Sequence, residues 1–370
     1  MRVLILYVSV GTGHMKAAEA LKESIEKQFP GWSVDILDAL KYINPIVDKI
    51  VVNSYLGTLK RNPGLYSRLY TASGTGTGIY DISKALNKLL SYRLISLIDE
   101  YKPSAIVCTH PFPMQMLSSL KEKNKVKIPA IAVLTDYVVH SLWLDNGMDA
   151  FIVANDYMKS EMIERGIPEN IIFPYGIPIS PKFLTEIDKT KLRKELGLEN
   201  MFTVMVMGGG MGFGNIESTM ASLLSCDVNI QIIAVTGTNQ SLKSQLEEYA
   251  KKSSKKVIIF SYTDKINELM DISDLLITKP GGMTISEALV KGLPIFVISP
   301  IPGQEEGNAN FLIRSGAASK IEDSKQLVKV LSQVANDPVT LNAMRENSKH
   351  FGKPHSANDI ATLLGRLVLG

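Results

Sequence analysis

Short apolar runs alternate along the chain with stretches in which apolar residues recur every three or four positions. In the first half the runs are VLILYVSV, SVDILDA, SAIVCTH, IPAIAVLTD, AFIVAN and IIFPYGIP. They are rich in β-branched residues and mostly continuous, which is typical of strands covered on both faces of a parallel sheet. The helical stretches between them predict a doubly wound α/β fold.

The pattern pauses at the proline-containing segment GIPISPKF, residues 176–183. It then restarts with the runs MFTVMVMGGG, NIQIIAVTG, KKVIIFSY, DLLITKPGG and LPIFVISP. This repetition predicts two Rossmann-like domains, residues 1–180 and 181–335, with a ligand-binding cleft between them. Residues 336–370 form a predicted helical tail, and the apolar spacing in DIATLLGRLVL indicates that it packs back on the first domain.

Composition excludes some classes of protein but does not identify a function. The 370 residues are 45% hydrophobic and 21% charged, and the formal net charge of +3 gives no reason to expect a nucleic-acid partner. Cys108 and Cys226 lie inside apolar runs, so we expect reduced core thiols in a cytoplasmic protein. No run of about 18 apolar residues is present, so no membrane span is predicted.

Residues 42–80 depart from the α/β pattern. This segment contains five tyrosines and the cations Lys49, Lys60, Arg61 and Arg68. From the residues alone, a helical hairpin with a tyrosine-lined core and solvated charges is the preferred interpretation. The alternative is contact with a membrane interface, which also uses tyrosine and cations, and there Tyr66 and Arg68 would be candidates for contacting an acceptor.

The turn SVGTGH follows the first strand and leads into a helix. It fits neither the P-loop, which needs Gly-Lys-Ser/Thr, nor the dinucleotide fingerprint, which needs glycine where Lys16 stands. The amide of Gly13 could still assist an anion. His14 suits proton abstraction from a hydroxyl, and its alternative is a helix-capping residue.

Two further segments follow strands of the second set. In MVMGGGMGFGNIE, Gly209 and Gly210 could form a backbone-lined floor for a ligand, or simply a flexible loop. In ITKPGGMTISEALV, the strand ends at Lys279, Gly281-Gly282 make a turn, and the helix is predicted to start at Thr284. Free amides and the helix dipole at such a turn would hold a diphosphate without a metal.

The same segment carries polar side chains suited to a sugar nucleotide. Glu287, one turn into the helix, could bind a ribose diol, although Thr284-Ile-Ser-Glu287 also fits a capping box. After the next strand, a predicted loop carries Gln304, Glu305 and Asn308. Their amide and carboxylate groups suit the hydroxyls of a sugar.

Four more polar or aromatic residues follow strand ends of the first domain: His110, Asp136, His140 and Trp143. We expect them near His14, because the carboxyl ends of parallel strands meet at one edge of a sheet. A metal is disfavoured, since only Asp136 and His140 have close ligand spacing. An edge that binds an acceptor and supplies an acid or base is the better interpretation.

Together, the Gly-Thr-Gly-His turn and the segments TDYVVHSLW, YGIPISPKF and KPGGMTISEALVKGLPIFVISPIPGQEEGNANFL resemble the family of monogalactosyldiacylglycerol synthases and processive diacylglycerol glucosyltransferases. The peptidoglycan N-acetylglucosaminyltransferase is a more distant relative. The resemblance implies a GT-B fold, with the donor in the C-terminal domain and the acceptor in the N-terminal domain. It also implies inversion at the anomeric carbon without a metal or cofactor.

By position in these motifs, the resemblance implies a role for each candidate. Gly281, Gly282, Met283 and Thr284 would line the diphosphate. Glu287 would bind the ribose, Gln304 and Glu305 would touch the donor sugar, and Tyr262 would frame the uracil. His14 falls where the family places its candidate base, with Asp136 as the competitor.

The resulting hypothesis is transfer of a hexose from UDP-hexose to diacylglycerol or a glycolipid, on the anionic inner face of the cell membrane. The domain of residues 1–180 would face the membrane, and that of 181–335 would bind the donor. One alternative is a glycosyltransferase with a soluble acceptor. A UDP-sugar 2-epimerase is a second alternative, disfavoured because no dense carboxylate cluster accompanies the donor motifs. The identity of the hexose and the number of sugars added stay open.

Overall fold

The computed structural model describes residues 1–43, 91–212 and 214–370. Most of the tyrosine-rich segment, including Tyr66 and Arg68, lies outside the described residues. The chain divides into two compact units. The first comprises Met1–Pro181, Pro302–Gln304 and His355–Gly370, and the second comprises Lys182–Ile301 and Glu305–Pro354.

The first unit is built on a six-stranded parallel sheet with the order β2-β1-β3-β4-β5-β6. Its strands are β1 (Arg2–Tyr7), β2 (Ser33–Asp38), β3 (Ala105–Cys108), β4 (Ala130–Val133), β5 (Ala150–Ile152) and β6 (Ile172–Phe173). Its helices are α1 (Gly13–Gln28), α2 (Ala39–Ile43), α3 (Pro111–Glu122) and α4 (Asp156–Glu164). Residues 91–101 are also helical, and Ser141–Trp143 and Glu169–Ile171 form short 3-10 helices.

The second unit repeats this plan with the strand order β12-β11-β10-β7-β8-β9, again all parallel. Its strands are β7 (Thr203–Met207), β8 (Gln231–Val235), β9 (Val257–Phe260), β10 (Leu275–Thr278), β11 (Ile295–Ile298) and β12 (Ala318–Ile321). A 3-10 helix, Pro181–Leu184, marks the start of this unit. Its α-helices are α5 (Lys189–Glu195), α6 (Ile216–Ser225), α7 (Gln240–Lys251), α8 (Ile266–Asp271), α9 (Gly282–Val290), α10 (Gln304–Arg314), α11 (Ser324–Asn336) and α12 (Pro338–Phe351).

Apolar side chains cover both faces of the central strands, as the continuous runs predicted. Every residue of β3, β4, β10 and β11 is buried. Strands at the sheet edges have weaker burial, as in β12, where only Ala318 and Ile321 are buried. The predicted doubly wound α/β class is confirmed, and β12 is the strand that the apolar pattern missed because its sequence ASKI carries only two core residues.

The last helix, α13 (Ser356–Leu369), packs on α1 in the first unit. Asn358 accepts a hydrogen bond from Ser24 at 2.5 Å, and a Cβ added to Gly365 would lie 2.5 Å from the ring of Phe29. The predicted tail of residues 336–370 is thus divided rather than joined to one domain. Its first part, α12, places Leu341 and Met344 in the core of the second unit.

Both cysteines are buried and unpaired. None of the described helices has the length and apolar character needed to cross a membrane.

Candidate functional site

His14 stands in the first turn of α1, directly after the carboxyl end of β1. The helix begins at Gly13 with Thr12 as its N-cap residue, so His14 is not the cap that the alternative interpretation required. Thr12 has ordinary helical dihedral angles, and the positive φ of 81° needed by the turn falls on Gly11. Threonine between the two glycines therefore costs the turn no strain.

Two threonines fix the imidazole of His14. Its Nδ1 lies 2.7 Å from the carbonyl oxygen of Thr109, just after β3, and 3.0 Å from the hydroxyl of Thr135, just after β4. The Thr109 hydroxyl also donates to the His14 carbonyl at 3.0 Å. A carbonyl oxygen only accepts, so Nδ1 carries the proton and the lone pair is on Nε2. Nε2 has no hydrogen-bond partner among the described residues.

The surroundings keep this ring neutral. Burial lowers the pKa of His14 from 6.5 to about 4, although the hydrogen bond to the Thr109 carbonyl acts in the opposite direction. The ring of His110 meets it edge to face, with centroids 4.6 Å apart. Burial also holds the pKa of His110 well below its usual value, and the charge that His14 would carry lowers it further. At pH 7 both rings are neutral, and the His14 Nε2 can accept a proton.

The remaining candidates of the first unit are spread along the same sheet edge. Asp136 is half-buried and directly follows Thr135. His110 caps α3 by accepting from the Phe112 amide, and His140 caps the 3-10 helix by accepting from the Leu142 amide. Trp143 is only 5% exposed and therefore belongs mainly to the protein interior. Within residues 1–43, 91–212 and 214–370, no group of three His, Cys, Asp or Glu could hold a metal ion.

In the second unit, the Lys279–Gly282 turn leads into α9. This helix starts at Gly282 with Gly281 as N-cap, two residues earlier than predicted, and no side chain caps it. The capping-box alternative for Glu287 is therefore wrong, because Thr284 lies inside the first turn. The amides of that turn are not taken by a capping side chain, as an anion site at a helix N-terminus requires. Glu287 is half-buried one turn further on.

The residues predicted to lie in a loop after β11 belong to α10 instead. Glu305 is buried, and its two oxygens bind the Lys279 ammonium at 2.6 Å and the Ile301 amide at 2.9 Å. Asn308 is 0% exposed, and its amide donates to the Pro280 carbonyl at 3.0 Å. Both side chains thus stabilise the turn that precedes α9. Gln304 is the first residue of α10 and is half-buried.

The glycine-rich loop after β7 packs near this turn. A Cβ added to Gly209 would lie 3.4 Å from the Lys279 side chain, and one added to Gly212 would lie 2.2 Å from the Thr236 carbonyl oxygen. The Gly210 carbonyl accepts from the Thr238 amide at 3.0 Å. Residues 209–212 are therefore packed, which favours the backbone floor over the flexible loop.

Tyr262 lies apart from these groups in the sheet order. It follows β9, the edge strand, and β7 and β8 separate β9 from β10. Its side chain is 52% exposed. Thr109 and Thr135, which bind the His14 ring, were not among the predicted site residues. Their place in the sequence could have indicated them, because the segments THP and LTD each follow the end of a strand.

Solved structures define the class of this fold. A crystal structure of MurG from Acinetobacter baumannii is similar over 99% of both chains, with a TM-score of 0.64 and 13% identity. A UDP-GlcNAc 2-epimerase from Neisseria meningitidis gives a TM-score of 0.64 and 14% identity, covering 99% of this chain and 100% of the other. The chain has the GT-B fold.

Sequence comparisons give the family. Residues 14–179 match the family model of monogalactosyldiacylglycerol (MGDG) synthase, and residues 203–361 match that of the glycosyltransferase family 28 C-terminal domain. The processive diacylglycerol beta-glucosyltransferase of Bacillus pumilus is 30% identical over 97% of this chain and 93% of its own length. The chain belongs to this family of diacylglycerol glycosyltransferases, and it is a glycosyltransferase.

Proposed function

We propose that the chain transfers a hexose from a UDP-sugar to diacylglycerol or a glycosyldiacylglycerol, with inversion and without a metal, at a membrane surface. The observation that carries this proposal is the neutral imidazole of His14, whose Nε2 is available as a proton acceptor. The name of the Bacillus pumilus relative supports glucose as the hexose and diacylglycerol as the acceptor.

In the proposed reaction, the oxygen of the acceptor hydroxyl attacks the anomeric carbon of the UDP-sugar, and the His14 Nε2 accepts the proton of that hydroxyl. The bond to UDP breaks in the same step, and inversion follows from a single displacement. The Thr109 carbonyl supports the base because it fixes the tautomer and becomes a stronger partner once the ring is protonated. Asp136 stays a competing candidate.

The departing diphosphate requires stabilisation, and the first turn of α9 is suited to provide it. Uncapped amides and the helix dipole act on the negative charge that develops as the bond breaks. Lys279 lies in this turn, where its pair with Glu305 fixes its position. We propose Glu287 for the ribose, Tyr262 for the uracil and Gln304 for the sugar. Glu305 and Asn308 are proposed to act on the donor indirectly, by positioning Lys279 and Pro280 of this turn.

The acceptor belongs to a lipid surface, and the tyrosine-rich segment of residues 42–80 is the proposed contact with it. Tyr66 and Arg68 are its candidate acceptor residues. The enzyme would act as a peripheral protein on the anionic inner face of the cell membrane. Sedimentation with anionic vesicles tests this part, and a protein that stays in the supernatant would favour a soluble acceptor.

The activity is tested with a panel of radiolabelled UDP-sugars and diacylglycerol vesicles, followed by chromatography of the lipids. We expect label in the lipid fraction with one or more donors and no dependence on added metal. His14→Asn, in which the new amide can still donate to the Thr109 carbonyl, should lose transfer and retain UDP binding. Transfer at the wild-type rate would remove His14 as the base, and conversion of the UDP-sugar without acceptor would support an epimerase.

A further inference from the structure

The turn that carries His14 follows β1, which lies between β2 and β3 in the strand order of the first sheet. Asp38 is the last residue of β2 and is in register with Tyr7, the last residue of β1. Polar residues at the ends of β2 and β3 can therefore reach the turn from opposite sides. Thr109, directly after β3, contacts His14 from one side through its carbonyl oxygen and its hydroxyl. Asp38 lies on the other side.

The carboxylate of Asp38 binds the turn and the helix that follows β2. Its Oδ2 accepts hydrogen bonds from the Ser9 amide at 3.1 Å and from the Ser9 hydroxyl at 2.5 Å. Its Oδ1 accepts a third hydrogen bond from the Lys41 amide at 3.1 Å, in the first turn of the short helix α2. Asp38 is only 9% exposed, so these donors satisfy its oxygens in place of water. Hydrogen bonds to an ionised group are stronger than those between neutral groups.

Capping of α2 does not account for this arrangement. A helix cap uses one side-chain oxygen, and the Oδ1 of Asp38 provides it. The other oxygen binds only Ser9, which belongs to the SVGTGH turn and stands five positions before His14. Between these two residues the chain passes through Gly11, which has a positive φ of 81°. Because glycine has wide backbone freedom, a fixed point before Gly11 restricts the path of the chain towards His14.

We propose that Asp38 is a positioning residue for the His14 base. The inference rests on the proposed function, in which the His14 Nε2 accepts the proton of the acceptor hydroxyl. Asp38 fixes Ser9 on the β2 side of the turn, and Thr109 fixes the backbone and ring of His14 on the β3 side. A reacting group held in this way is preorganised for proton transfer. Asp38 acts through the turn and takes no part in the proton transfer itself.

Two variants separate the support of the turn from the cap of α2. Asp38→Ala removes both, whereas Ser9→Ala removes only the hydroxyl contact and leaves the cap in place. A misplacement of about 1 Å can cost about a hundredfold in rate, so Asp38→Ala should lower kcat about tenfold or more and Ser9→Ala severalfold. Ser9→Thr keeps the hydroxyl and should restore most of the rate. The KM for UDP-glucose should change less than about twofold, because the proposed donor contacts belong to the second unit.

The position of the ring is measured on the full chain labelled with ¹⁵N-histidine. The His14 Nδ1 proton is bound to the Thr109 carbonyl. It should exchange with water several times faster in Asp38→Ala and Ser9→Ala, and the Nδ1 resonance should shift. A role limited to capping α2 would leave the Ser9→Ala spectrum unchanged. Asp35→Ala is the matched control, because Asp35 lies on the same strand and accepts from the Tyr101 hydroxyl instead.

Both measurements must change for the proposal to stand. It is overturned if Ser9→Ala keeps either the wild-type kcat or the wild-type His14 signals. If Asp38→Ala does not fold, Ser9→Ala and Ser9→Thr decide the question, since both retain the cap. A failure of the proposed function is distinguishable, because His14→Asn would then transfer as the wild type does. In that case the His14 signals would still show whether Asp38 fixes the ring.

Discussion

The protonation of His14 gives the most direct check on the proposed base. Burial lowers its pKa from 6.5 to about 4, which corresponds to about 3 kcal/mol of preference of the folded state for the neutral ring. Above pH 6.5 the ring is neutral in both the folded and the unfolded chain. Between pH 6.5 and 4 only the unfolded chain gains the proton, so this part of the stability is lost as the pH falls.

The measurement is ¹H–¹⁵N correlation of the histidine side chains, followed by urea unfolding at pH 7.5 and 4.5. We expect a His14 midpoint near pH 4 and the proton on Nδ1 at neutral pH. Between pH 7.5 and 4.5 the unfolding free energy of both proteins should decrease. The decrease should be about 2 to 3 kcal/mol larger for the wild type than for His14→Asn. The variant is a matched control because asparagine can donate to the Thr109 carbonyl without titrating.

The same pKa sets the pH dependence of transfer. If His14 is the base, kcat/KM should stay level from pH 7 down to about 5 and fall only as the ring becomes protonated. A titration midpoint near 6.5, or a neutral ring with its proton on Nε2, would refute the reasoning from burial and from the Thr109 carbonyl.

Three further changes have defined outcomes. Thr135→Val should leave the protein folded but reduce the rate of transfer severalfold, because the His14 ring loses one of the two groups that orient it. An unchanged rate in the vesicle assay would mean that the Thr109 carbonyl alone orients the ring. Asn308→Ala removes the hydrogen bond to the Pro280 carbonyl and should weaken UDP binding by about tenfold in calorimetry, whereas Asn310→Ala on the exposed side of α10 should bind normally. Gly365→Ala forces a methyl group towards Phe29 and should cost about 1 to 3 kcal/mol in urea unfolding, and a smaller loss would mean that the ring moves aside.

The apolar pattern was sufficient to predict the architecture, because a strand buried on both faces is an uninterrupted run of apolar residues in the sequence. It failed where a buried position is polar. Helix α10 buries Glu305 and Asn308 on the same face as Phe311 and Leu312, so its helical spacing is hidden when only apolar residues are counted. Strand β12 was missed for a related reason, since an edge strand needs few apolar residues. The error at α10 falls within the candidate donor site, because Glu305 and Asn308 contact Lys279 and Pro280.

In the candidate site, too, the sequence motifs contain the reactive groups but not the residues that position them. His14, Lys279 and the paired glycines could be selected from the sequence because their chemistry is local to a turn. Their supports are distant in sequence: Thr109 and Thr135 lie 95 and 121 residues beyond His14, and Glu305 lies 26 residues beyond Lys279. These contacts depend on the order of parallel strands, which places β3 next to β1 and β4 next to β3. The position of the base is therefore a property of the whole sheet, and changes at Thr135 should affect catalysis although the residue stands outside the Gly-Thr-Gly-His turn.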